Sequence, residues 1–251
     1  MKQLRALDDQ VQTWRRLEKR VTELLDMTTL AIEEGDHSLQ AEIQRETEEL
    51  AAELRKLETR LLLSDEYDAR DAILAIHAGA GGTESQDWAE MLLRMYLRWA
   101  ERHGYKAEVL DVSPGDEAGI KSATLEIRGD YAYGYLKSEH GVHRLVRLSP
   151  FDADHARHTS FVLVEVLPEA EETLDIQINP DDLKIDTFRS SGPGGQHMQK
   201  TSSAVRITHI PTGIVVTCQS QRSQHRNKEG ALKVLYARLL ELKLEEKEKE
   251  K

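Results

Sequence analysis

The first 66 residues carry an apolar repeat that a helix buries and a strand does not. Leu4, Leu7, Val11, Trp14, Leu17, Val21, Leu24, Thr28 and Ile32 recur at spacings of three and four. Ile43, Thr47, Leu50, Leu54, Leu57 and Leu61 take up the same spacing after an interruption at Gly35-Asp36. Residues so spaced line one stripe of an α-helix. Two stripes separated by a short break predict an antiparallel helical hairpin packed on itself, with an arm that touches a partner as the other reading.

Beyond this hairpin the pattern becomes mixed. The apolar run Ala72-Ile-Leu-Ala-Ile76 predicts a strand, and Gly79-Ala-Gly-Gly82 a turn. A helix follows, capped by Thr83 or Ser85, burying Trp88, Met91, Leu92, Met95, Tyr96 and Trp99, and ended by Gly104. Strands are expected at 107–112, 123–128, 131–136, 144–148 and 160–166. Further strands are expected at 183–188, 204–209 and 214–219, the last two joined by a turn at Pro211-Thr-Gly213. A helix runs on from Asn227. The expected class is α+β in three parts: a helical hairpin over 1–66, a mixed α+β domain over 67–176, and a small α+β domain over 177–251.

Charge is unevenly placed. The net formal charge is −11, which argues against a chain that coats nucleic acid along its whole length. Between Lys184 and Lys228, however, seven basic residues face a single acid, Asp186. Within that stretch Arg189, Lys200, Arg206, Arg222 and Arg226 are the candidate RNA-binding cations, with a solvated basic loop as the alternative. No apolar run is long enough to span a membrane, and the amino end lacks the pattern of a signal peptide. Cys218 is the single cysteine, so neither an internal disulfide nor a cysteine-based zinc cluster is expected. It lies in an alternating apolar strand, where cysteine serves packing more often than nucleophilic chemistry. These features predict a cytoplasmic protein.

Two loops carry the chemistry. The first is Ser190-Ser-Gly-Pro-Gly-Gly-Gln-His197. Three glycines and a proline in four positions suit neither helix nor strand, and glycine lets a backbone approach another molecule closely. Main-chain N–H groups delivered this way could meet an oxyanion, an interaction worth about 2.7–4 kcal/mol per donor in acyl-transfer sites. A phosphate cradle or an ordinary connection remains open, although Gln196 and His197 stand where a P-loop needs Lys and Ser or Thr. The chain shows no nucleophile elbow and no zinc-binding His pair, so any hydrolysis would position water on a substrate held elsewhere. The second loop is Ser149-Pro-Phe151 with Arg157-His-Thr-Ser160, after the basic strand Val142–Arg147. Hydroxyls, an imidazole and a guanidinium together suit the exposed bases of single-stranded RNA, or else form a polar turn capped by Ser149.

These residues resemble a family. Arg189-Ser-Ser-Gly-Pro-Gly-Gly-Gln-His197 is similar to the signature loop of class I peptide chain release factors, and Ser203–Gly213 and Gln221–His225 are similar to the domain around it. Ser149-Pro-Phe151 resembles the tripeptide of the branch that reads UGA and UAA, whereas the UAG-reading branch carries Pro-x-Thr there. Ala78–Trp88 and Arg94–Trp99 also resemble that family, and the likeness runs from about residue 65 to 243.

The resemblance implies translation termination. The middle domain would read the stop codon, with Gly81 and Glu84 at its first base, Ser149, in the Pro150-Phe151 tripeptide, at its second, and His158 between second and third. Thr159 would act at the third base and Val146 would line the site, with Arg157 also among the codon-recognition residues. Gly194, Gly195 and Gln196 would enter the peptidyl transferase centre. There the Gln196 N–H would stabilise developing charge while its side chain excludes larger nucleophiles. The implied partners are ribosomal RNA, the mRNA stop codon and P-site peptidyl-tRNA, together with a glutamine methyltransferase acting on Gln196. No metal, small cofactor or membrane is implied, and the protein would be a monomer that promotes hydrolysis only on the ribosome. Where the family has Ser-Gly-Gly-Arg, this chain has Ala153-Asp-His-Ala156; after His197 it has Met198-Gln199 for Val-Asn. Against the family pattern both ends are expected to be short: by about one helical segment at the amino end, and by a Trp-Gly-Ser-Gln-Ile-Arg-Ser-Tyr-like stretch at the other. Stop-codon-independent ribosome rescue, or non-catalytic occupation of the ribosome by a fragment, are the alternatives.

Overall fold

A computed structural model describes residues 2–35, 37–154, 156–170, 176, 178–188, 203–219, 221 and 223–249. The chain divides into two compact units, Met1–Ser64 and Asp65–Lys251.

The first unit is a pair of helices, α1 (Lys2–Glu34) and α2 (Gln40–Leu62). Gly35, at φ +66°, stops α1 in the left-handed conformation that glycine adopts without penalty. Leu17 and Leu50 from the expected stripe are buried, but Val11, Trp14, Val21, Ile32, Leu54 and Leu61 are exposed. Two helices offer each other only a narrow strip, so much of a wide apolar stripe stays uncovered. Charged pairs share the contact: Arg16 and Arg20 reach Glu53 at 2.7 and 2.9 Å, and Arg20 reaches Glu46 at 3.0 Å.

The second unit contains two sheets. The larger is antiparallel, with order β2-β3-β1-β5-β4. Its strands are β1 (Ala72–Ala78), β2 (Lys106–Pro114), β3 (Ile120–Arg128), β4 (Gly141–Leu148) and β5 (Arg157–Pro168). The continuous apolar run of β1 follows from its central place, because Ala72–Ile76 are buried on both faces. Helix α3 (Thr83–Arg102) lies on one face and packs Ala89, Leu92, Tyr96 and Ala100 against Leu74, Ile76, Leu125, Ile127, Val162 and Val164.

Two sequence expectations are corrected in this unit. Neither Thr83 nor Ser85 caps α3: the N-cap position is Gly82, at φ +59°, with no side-chain cap. Ser85 lies in the first turn, and its hydroxyl donates back to the carbonyls of Gly79 (3.0 Å) and Gly82 (2.8 Å), tightening the glycine turn instead. Residues 131–136 are not a strand but the short helix α4 (Ala132–Leu136). Tyr131, at φ +62°, turns the chain, and the N–H groups of Tyr133 and Gly134 donate to Arg70 and Asp68 carbonyls. Burial of Ala132, Gly134 and Leu136 gives the alternation that imitates a strand.

The smaller sheet has order β6-β7-β8, from β6 (Leu183–Phe188), β7 (Ala204–His209) and β8 (Val215–Cys218). Its β7–β8 hairpin turns at Gly213, φ +71°. Helix α5 (Gln224–Lys249) begins three residues before the expected Asn227. It packs Ala231, Val234, Leu235, Ala237 and Leu239 on Val205, Ile207, Val216 and Cys218, and the same core takes in Ile73, Leu110 and Leu167 from the larger sheet. Polar ties reinforce this junction. Lys233 Nζ meets Glu126 at 2.6 Å and Glu169 at 3.0 Å, Arg238 meets Glu165 at 3.4 Å, and Cys218 Sγ donates to the Leu110 carbonyl. Burial works to raise the Glu126 pKa, but Arg128 and Lys233 overcome it and hold the group below its ordinary value. Among the described residues, no helix is long and apolar enough to cross a membrane.

Candidate functional site

The residues expected to read a codon come from three places in the sequence and meet at one end of the larger sheet. Antiparallel pairing of β4 with β5 sets Val146 opposite Thr159, Arg147 opposite His158 and Leu148 opposite Arg157. Side chains alternate along β4, so Val142, Arg144, Val146 and Leu148 face outward while Arg147 points in. Val146 is 49% exposed, and Thr159 and Arg157 are exposed beside it. The glycine turn between β1 and α3 closes the third side. Gly79 N–H donates to the Phe161 carbonyl and Phe161 N–H to the Ala80 carbonyl, each at 2.9 Å. Gly81 adopts φ +133°, and a Cβ there would stand 2.8 Å from Ser160 Cβ. Strand β5 therefore lies as close as it does only because residue 81 has no side chain.

Inside this corner sits a charged network. Arg147 donates from Nε and Nη2 to Glu84 Oε2, at 3.1 and 2.8 Å, and from Nη2 to Asp87 Oδ2. Glu84 is 5% exposed, in the first turn of α3, and its Oε1 makes no hydrogen bond among the described residues. Burial presses the Glu84 pKa upward. The neighbouring Ser149 hydroxyl and the Arg147 guanidinium outweigh it, so the carboxyl stays below its ordinary value and keeps its charge. Ser149 is 2% exposed; its N–H donates to the Ala156 carbonyl, and its hydroxyl accepts from Phe151 N–H at 3.1 Å. Pro150 and Phe151 are exposed at the tip.

Asp152 shapes the loop that follows. Its carboxylate accepts from Asp154 N–H and Ala156 N–H, both at 3.2 Å, and lies 3.1 Å from His158 Nε2. The backbone N–H of Asp154, then the His158 ring and Ala156 N–H, pull its pKa below the ordinary value. Arg147, Asp87 and Asp152 were not among the residues singled out from sequence. For Arg147 a signal existed, since the alternation of β4 puts it on the opposite face from Arg144 and Val146.

The second candidate site is only partly visible. Gly194, Gly195, Gln196, Arg189, Lys200 and Arg222 lie outside the described residues. Their supports are described: β6 and β7 pair Phe188 with Ala204, immediately flanking 189–202. Arg206 is exposed on β7, with its guanidinium 5.4 Å from the Phe188 ring centroid. Arg226 lines a cleft of about 750 Å³ between α5 and strands β2 and β3, together with Glu108, Arg128 and Lys233. Cys218 is buried, in keeping with a packing role.

Comparison with known proteins decides the family. The PCRF domain matches residues 1–164 and the RF-1 domain residues 171–251. Peptide chain release factor 2 of Thermomicrobium roseum is 60% identical over all of this chain and 66% of its own length. The same-named protein of Chloroflexus aggregans is 56% identical over all of this chain and 68% of its own. The chain belongs to the peptide chain release factor 2 family. The solved RF2 of Thermus thermophilus superposes with a TM-score of 0.78 at 51% identity, covering 97% of this chain and 68% of that one. This agrees with the α+β class expected from sequence. The chain thus spans about two thirds of the length of these release factor 2 relatives, and 53% of another, from Thermosipho melanesiensis.

Proposed function

We propose that this chain terminates translation by reading UGA and UAA on the ribosome and promoting hydrolysis of the peptidyl-tRNA ester there. The observation that carries the reading is the convergence at one sheet end of Gly81, Glu84, Val146, Ser149, His158 and Thr159 through register and glycine contact. The buried Glu84 supports it further, since the Ser149 hydroxyl and Arg147 hold it below its ordinary pKa and keep it a charged acceptor at the start of α3. Pro150, Phe151 and Arg157 would flank the codon. The division of labour would run at 67–176 for codon reading and 177–251 for hydrolysis, with the 1–66 hairpin as a separate arm. Gly194, Gly195 and Gln196 would supply main-chain donors at the reaction, and Arg189, Lys200, Arg206, Arg222 and Arg226 would meet ribosomal RNA. The partners would be the ribosome, the mRNA stop codon, P-site peptidyl-tRNA and a glutamine methyltransferase modifying Gln196, in the cytoplasm and with the protein as a monomer. Chemistry would occur only within the ribosome, whose RNA forms most of the site.

The test is release of formyl-methionine from ribosomes programmed with UAA, UGA, UAG or a sense codon. Release on UAA and UGA alone is expected. Equal release on every codon would establish rescue instead, and absence of release would refute the proposal. Gly194→Ala or Gly195→Ala should lower release by about 100-fold or more, the scale of losing an oxyanion donor, with ribosome binding nearly unchanged. Ser149→Ala should weaken release on UGA more than it weakens binding to ribosomes without a stop codon.

A further inference from the structure

Asn227 lies at the fourth position of α5 and is fully buried. Its side chain makes three short hydrogen bonds to main chain that no helix or sheet ladder satisfies. Nδ2 donates to the Ser203 carbonyl at 2.7 Å and to the Gln221 carbonyl at 2.8 Å. Oδ1 accepts from Gln221 N–H at 3.0 Å, with Cys218 Sγ 3.6 Å away. Two carbonyls and one N–H converge on one point, and a carboxamide is the side chain that offers two donors and an acceptor of that size. The Asn227 N–H is itself held by the Ser223 carbonyl at 3.0 Å, so the anchor is part of the helix.

What it anchors is informative. Ser203 directly follows the 189–202 stretch that carries Gly194, Gly195 and Gln196, and it precedes Ala204, the first residue of β7. On the other stem, Phe188 pairs with Ala204 across the sheet. One stem is therefore fixed by sheet pairing, and the returning stem is fixed just before that pairing by a side chain from α5. Gln221, on the far side of Asn227, also reaches Glu108 of β2 with its Nε2, at 3.3 Å.

We infer that Asn227 is a positioning residue for the Gly194-Gly195-Gln196 segment, fixing where the returning stem leaves the small sheet. It touches no reacting atom and acts through the Ser203 and Gln221 main chain. Its consequence for peptide release rests on the function proposed above, whereas its hold on the stem does not. Catalysis by placed main-chain donors is sensitive to displacements near 1 Å, so unhooking Ser203 should lower the release rate without altering codon-dependent binding.

The experiment compares the parent chain with Asn227→Ala, Asn227→Asp and Val216→Ala. The last removes volume from the same core, where Val216 is buried, without touching Ser203. Amide hydrogen exchange of the chain alone reads the stem. Both Asn227 variants should exchange about tenfold faster over Ser203–Arg206, a local loosening rather than global unfolding. Val216→Ala should raise exchange across β7, β8 and α5 together. On UGA-programmed ribosomes, the Asn227 variants should lose about tenfold or more in the release rate at saturation, as expected when main-chain donors are misplaced. The factor concentration giving half-saturation should stay within about twofold, and Val216→Ala should retain the rate. Parent-like exchange at Ser203–Arg206 in Asn227→Ala would overturn the inference. So would matched losses of rate in Asn227→Ala and Val216→Ala, or parent-like release by Asn227→Ala. A parent chain that releases nothing would defeat the proposed function, while the exchange measurement would still decide the role of Asn227.

Discussion

At the scale of single residues, Arg147 organises the corner where the candidate codon-reading residues meet. Arg144 and Arg147 look alike in a basic strand, yet the alternation of β4 sends one to solvent and the other inward. Only the inward guanidinium can bridge Glu84 and Asp87, and with them the start of α3. Arg147→Met should leave the buried Glu84 carboxylate without its charged partner. The expected loss is about 1–3 kcal/mol, the usual cost of orphaning a buried acceptor, read as a lowered denaturation midpoint. An unchanged midpoint would show that Glu84 does not depend on this pair. That residues around the Ser149-Pro-Phe151 tripeptide belong together was legible in the sequence. Their inward supports were not, because a sequence lists Arg147 and Glu84 sixty-three positions apart.

At the scale of elements, the junction of β2 with β8 has a titratable centre. Strand β2 changes register between Val109 and Asp111, and Asp111 faces Gln219 just beyond β8. Burial raises the Asp111 carboxyl to about 6 from 3.8, against the opposing hydrogen bonds of Gln219 and Val112 N–H. The folded chain therefore holds this proton more tightly than the unfolded chain. Its contribution to stability is complete below the unfolded pKa and drains away as pH rises from about 4 through about 6. Asp111→Asn should melt higher than the parent at about pH 7.5 and converge with it only below the unfolded pKa, at about pH 3.5. A melting difference that does not vary with pH would remove Asp111 from the account. Elements with long, strongly periodic patterns were legible: α1, α2, α3 and the β7–β8 hairpin all fall where their spacing puts them. Residues 131–136 misled because Ala132, Gly134 and Leu136, every second residue of a five-residue helix, are the buried ones and so copy a strand's alternation.

At the scale of the molecule, the second unit holds both cores and shares α5 between its two sheets. Residues 65–251 should accordingly fold without the helical hairpin and unfold in one cooperative transition. Calorimetry of that piece checks this, and two separated transitions would show that α5 does not couple the sheets. The apolar positions of α5 announced a helix, but nothing in their spacing announced two different surfaces for it to meet. The loop after β4 stands in contrast to this sharing. Ser149 closes on Phe151 and Ala156, and Asp152 gathers Asp154, Ala156 and His158, so nearly every bond that shapes the tip begins and ends within ten residues. A tip so self-contained is portable: because its shaping bonds stay local, it can be exchanged while the strands beneath keep their register.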